Sequence, residues 1–192
     1  MCKLNKDFLE KAYTEVNDNI KFAETKNAAL ITLNSALIAA GIDKVFDTEI
    51  SCVWRVLIAA VVFALLIPLI ISLCSFIADK GKKEGIKYSF FTGLKDKTPF
   101  KDSDDPKLMF YSYIACKCRD KETYLEKCEI RPTDDDYGLK VQLASQIVDL
   151  SSVAFSKFSL FNIAVIIESF IFAIGGLASI AIAVLNLIFN WF

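Results

Sequence analysis

Three apolar stretches organise this chain, and each has a different polar surround. Val53 to Ala78 carries a single charge, Arg55, close to its start. As a helix rising about 1.5 Å per residue it reaches roughly 39 Å, enough to cross a hydrocarbon layer about 30 Å thick. Leu160 to Phe192 carries only Glu168, and as one helix it reaches roughly 50 Å. A break at Gly175-Gly176 would leave two pieces of about 15 residues, each short of a span. The pattern therefore predicts one long helix that tilts or protrudes. Asn27 to Ile42 is shorter, roughly 24 Å, and its approach contains Glu24, Lys26 and Asn27, with Thr32, Asn34 and Ser35 inside it. It spans if the helix begins upstream and Lys26 snorkels to the interface.

Upstream, Leu4, Phe8, Ala12, Val16 and Ile20 recur every four residues with charges between them, the mark of an amphipathic helix. No proline or glycine interrupts the run into residue 27, so a single helix is expected to start outside the membrane and enter it. The short link at 43–52 makes the next two segments a helical hairpin. After Ala78 a basic run extends from Lys80 to Lys101. Pro99, Asp102 to Pro106 and the stretch from Pro132 to Gly138 read as loops. Lys107 to Ile130 is expected to be helical, carrying Phe110, Tyr111, Ile114, Tyr124 and Leu125. From Leu139 the spacing of Val141, Leu143, Ile147, Leu150 and Phe155 predicts a helix that feeds the last span.

The expected fold is thus an all-α integral membrane protein. It has an amphipathic helix over 1–26, a transmembrane hairpin over 27–78, a cytoplasmic helical and basic region over 79–158, and a long C-terminal transmembrane helix over 159–192. Composition agrees: 54% of the 192 residues are hydrophobic, above the usual share of a soluble domain. Lysine placement orients it, with five lysines in 1–26, four more directly after the second apolar stretch, and only Lys44 in the link. Positive-inside bias puts the N-terminus and 79–158 in the cytoplasm of a multi-pass membrane protein. A signal peptide is not expected, because the first apolar run starts far from the N-terminus. Of the six cysteines, only Cys52 falls near the outer link, so no disulfide framework is implied.

Several stretches resemble the Pycsar-type transmembrane effectors of bacterial antiphage defence. The likeness lies in Phe22-Ala23-Glu24-Thr25-Lys26-Asn27-Ala28 followed by Leu33-Asn34-Ser35-Ala36, in Tyr124-Leu125 within a short charged helix, and in Leu143-Ala144-Ser145-Gln146-Ile147 with Leu150-Ser151 and Lys157-Phe158. It covers most of the chain in order and spacing. Glu24 stands where the family usually has Asp, and the middle block is unusually rich in lysine. Related membrane effectors occur in other defence operons, including one called Hailong in which a partner nucleotidyltransferase makes DNA oligomers. The resemblance implies an oligomeric, nucleotide-gated membrane effector. Its expected partners are copies of itself, membrane lipid, a nucleotide second messenger or oligonucleotide, and a nucleotide cyclase or nucleotidyltransferase.

Each candidate constellation has two readings. Glu24, Lys26, Asn27 and Asn34 form a polar membrane-entry motif that senses a ligand or joins subunits, or else an interfacial anchor. Lys80, Lys82, Lys83, Lys87, Lys95 and Lys97 suit an anionic nucleotide, with Tyr88, Phe90 and Phe91 available for stacking, or equally the headgroups of anionic lipid. Glu168 lies about 12 Å into the last apolar run, where an ionised carboxylate costs on the order of 3 kcal/mol unless it finds a partner, water or a proton. Around it Asn162, Ser169, Gly176, Ala183 and Asn190 repeat every seven residues, with Ser179 and Asn186 on an adjacent line. Such a stripe packs helix on helix or lines a wet path. Cys116, Cys118 and Cys128 lack a fourth metal ligand, and the chain has no histidine, so free thiols are expected and no metal or cofactor. Without a Gly-rich phosphate loop or a G-x-S-x-G, an enzyme is not expected. The function read from these features is a pore-forming defence effector. The alternative is a non-conducting scaffold that recruits a soluble partner through 79–158.

Overall fold

The computed structural model describes residues 6–77, 107–118 and 120–189. Among the described residues five helices occur: α1 Lys6–Phe46, α2 Cys52–Ile77, α3 Tyr111–Lys117, α4 Lys121–Lys127 and α5 Tyr137–Phe189. No strand occurs among the described residues. Three of these helices, α1, α2 and α5, are long and apolar enough to cross a membrane. The chain forms two compact units, one built from residues up to Glu24 together with Phe76–Ser159, the other from Thr25–Ser75 with Leu160 onwards.

In the first unit α1 presents Leu9, Ala12 and Val16, all fully buried, against Tyr113 and Ile114 of α3, Tyr124 and Leu125 of α4, and Ala144, Ile147 and Val148 of α5. The buried positions of α1 continue at Ala23. Steps of three and four keep a residue on one face, whereas a strict step of four drifts by about 40° each time. That is why Phe8 is only partly buried while Leu9 is the core residue. The single helix expected over 107–130 is divided. Cys118 leaves helical geometry with ψ 75°, and Asp120 caps α4 by accepting the Thr123 N–H at 2.7 Å. At its other end α4 closes with the Ile130 N–H on the Leu125 carbonyl and the Glu129 N–H on the Glu126 carbonyl. This paired closure requires a left-handed residue, and Glu129 supplies it with φ 57° where glycine is usual.

The second unit has the opposite chemistry at its surface. Phe63 is 75% exposed and Leu177 69%, and Phe46, Ile174, Ile180 and Leu187 are similarly open. So extensive an apolar surface suits lipid rather than water. Helix α5 runs unbroken through Gly175-Gly176 over its 53 residues. Proline sits inside α2 at Pro68, fully buried, where it removes one N–H from the ladder and leaves the Ala64 carbonyl without its helical donor.

Candidate functional site

The polar residues that the sequence places at the membrane entry are engaged in two sets. In the first unit the Lys157 ammonium lies 3.1 Å from the Glu24 carboxylate, its side chain only 6% exposed while that of Glu24 is 45% exposed. The same ammonium stands 5.5 Å from the centre of the Phe76 ring, a cation–π contact that replaces part of the lost hydration. Aromatic rings flank the pair: Phe22 meets Phe158 at 6.2 Å, and Tyr111 stacks on Phe158 at 5.1 Å. In the second unit Lys26 lies 5.4 Å over the Phe161 ring, and the Asn27 amide donates to the Ser75 hydroxyl at 3.0 Å. Glu24 and Lys26, two residues apart on different faces of α1, thus take different partners.

Deeper in the second unit Asn34 of α1 is fully buried and Glu168 of α5 is 5% exposed. The Asn34 amide lies beside the Glu168 carboxyl. Asn34 Nδ2, Asn34 Oδ1 and Glu168 Oε1 have no partner among the described residues, and neither has the buried Ser72 hydroxyl. The rest of the stripe on α5 points elsewhere. Asn162, Ser169, Gly176 and Asn186 are exposed and Ser179 is half-buried. Ser169 and Ser179 satisfy their hydroxyls on their own helix, donating to the carbonyls of Val165 and Gly175. Lys80, Lys82, Lys83, Lys87, Lys95 and Lys97, with Tyr88, Phe90, Phe91 and Asn190, lie outside the described residues.

A family model described as the Pycsar effector protein domain, PycTM, matches residues 8–189. The chain belongs to that family. No curated protein and no solved structure matches it. This Pycsar effector is a transmembrane effector of antiphage defence, and its family implies a cyclic-nucleotide signal from a partner cyclase.

Three residues of the Pycsar effector's polar sets were not singled out from sequence as partners: Lys157, Ser72 and Ser75. Lys157 is the last lysine before the C-terminal apolar run, and it sits eleven residues before Glu168. Pro68, Ser72 and Ser75 follow steps of four and three, one face of a helix. Both signals are visible in the chain, but neither says what the residues meet. Cys116, Cys118 and Cys128 are all buried in the first unit. Burial pushes the Cys128 thiol up to about 12, the Tyr124 hydroxyl lowering it in part. Burial raises the Cys118 thiol as well. Among the described residues no group of three or more Cys, Asp or Glu side chains is placed to hold a metal.

Proposed function

We propose that this Pycsar effector is a non-catalytic, oligomeric inner-membrane pore gated by a nucleotide ligand, a cyclic nucleotide or an oligonucleotide. The observation that carries the reading is the exposed face of α5. Asn162, Ser169, Gly176 and Asn186 lie open on a helix otherwise built for lipid. Amides facing acyl chains are costly and small residues let backbones approach, so a second copy of the same helix is the natural cover. Several copies arranged around that face enclose a path lined by amides and hydroxyls rather than by hydrocarbon. Glu168 precedes Ser169 directly, about 100° away around the helix, so it reaches that path only if α5 turns.

In this reading α1, α2 and α5 make three passes, with the N-terminus and residues 79–158 in the cytoplasm, where the lysines from Lys80 to Lys97 receive the anionic ligand. Gating then requires that the ligand bind one packing of the helices more tightly than the other, since equal affinity for both shifts nothing. Ion flux from liposomes holding the purified protein, with cyclic mononucleotides or short DNA oligomers added to the lysine-bearing side, tests it. Flux that changes with one of these ligands, and that falls in Asn186→Leu, is the expected result. Liposomes that stay tight with every ligand and with none refute the pore.

A further inference from the structure

The buried pair of Asn34 and Glu168 has a use that a path between copies does not supply, because both groups lie inside one chain. Within the second unit Asn27 stands opposite Ser75 across the hairpin. Seven residues onward along α1 is Asn34, and seven residues back along α2 is Pro68, so the antiparallel helices bring these two to the same level. The Ala64 carbonyl that Pro68 frees and the unpartnered Ser72 hydroxyl belong to the same stretch of α2. A carboxylate oxygen, an amide oxygen, a hydroxyl and a backbone carbonyl are all acceptors. No described cation of the unit neutralises Glu168. Lys26 is held over Phe161, two turns back along α5, about 10 Å away. Lys44 reaches down to Asp47 at 3.2 Å, and Arg55 opens α2 at the far end of the hairpin.

Leaving the Asn34 amide and one oxygen of the Glu168 carboxyl buried without a hydrogen bond costs several kcal/mol in an apolar medium. An oxygen-rich site with one negative charge is the chemistry that a hard, singly charged cation requires. We infer that Asn34 and Glu168 form an intramembrane sodium site inside each copy of the chain. The Glu168 carboxylate supplies the charge, and the amide oxygen of Asn34 supplies a ligand, with oxygens of the Ser72 and Pro68 stretch completing the set. The bound ion satisfies the acceptors that the fold leaves open and holds α1 against α5.

Dicyclohexylcarbodiimide tests this, since it enters apolar regions and reacts with a protonated carboxyl there. The full chain in detergent micelles is labelled in sodium-free buffer and again in sodium chloride, with choline chloride keeping the ionic strength constant. The peptide bearing Glu168 is then weighed. Sodium at about ten times its dissociation constant is expected to slow labelling about tenfold. Glu168→Gln abolishes that label, and Asn34→Leu keeps it while losing the protection by sodium. Independently of any variant, the melting temperature of the wild-type protein rises in sodium chloride relative to choline chloride. Labelling that sodium does not slow marks a proton site alone and overturns the inference. So does the absence of label in sodium-free buffer, or a melting temperature indifferent to sodium. None of these measurements needs a conducting assembly, so their failure leaves the flux assay and the pore reading standing.

Discussion

Replacing Glu24 by glutamine removes the counter-charge of a lysine that the fold has almost wholly taken out of water. An exposed ion pair contributes about 0.2–1 kcal/mol, while stripping one partner from a fully buried pair costs about 3–5 kcal/mol. The pair here falls between these limits, with Lys157 6% and Glu24 45% exposed and 3.1 Å between the charges. Lys157 keeps the face of Phe76, a contact worth up to about 2 kcal/mol when desolvated. Glu24→Gln is therefore expected to cost about 1–2 kcal/mol. Lys157→Met strands nothing, because a half-exposed Glu24 rehydrates and the methionine fills the space apolarly, so the cost stays within about 1 kcal/mol.

The double variant should then behave like Lys157→Met alone, giving a coupling energy of about 1–2 kcal/mol. Unfolding midpoints of the four proteins in one detergent close the cycle. Screening reaches a buried ammonium poorly, so the order holds when salt is raised. The reasoning fails if Lys157→Met is the more damaging single change, or if the double variant loses the sum of both.

Other expectations follow from particular contacts. A Cβ at Gly41 meets the Val62 methyl across the hairpin, so Gly41→Val should destabilise by about 1–3 kcal/mol, read as a lower melting temperature in detergent. Glu129→Gly relieves a left-handed residue at some cost in unfolded-state entropy, and a net gain of about 0.5 kcal/mol in denaturant unfolding of the first unit is expected. The Cys128 thiol titrates near 9.0 when unfolded and about 12 when folded, so over that window the unfolded chain alone releases its proton. Stability of the first unit should fall with rising pH from about 9, on the order of 1 kcal/mol per unit. Cys118 adds to the same trend, since burial raises it too. Below about pH 7.5 neither thiol contributes an appreciable slope, and a melting temperature already falling between pH 6 and 7.5 would contradict the assignment. In the folded protein both thiols should resist alkylation at pH 8 and react once unfolded.

The long helices are legible in the chain because they need no neighbour to exist. In lipid each backbone N–H and C=O must be satisfied within its own segment, so 53–77 and 160–189 become helical from length and apolar content alone. The continuation of α1 from Lys6 to Phe46 follows equally from the absence of proline and from glycine entering the run only at Gly41, one turn from its end. What required the tertiary structure was facing. Glu168 and Ser169 are adjacent and both polar, and the seven-residue repeat of Asn162, Ser169 and Gly176 says nothing about which of the two turns inward. Packing of Leu30, Asn34, Leu160 and Ala164, all buried, decides it by filling the interior around Glu168 and leaving Ser169 outside. The break at Cys118 and the left-handed Glu129 escaped the sequence for a related reason. Their local conformational cost is repaid by Tyr124, whose ring is fully buried and whose hydroxyl donates to the Leu108 carbonyl at 2.9 Å, a contact between residues sixteen apart that no local pattern encodes.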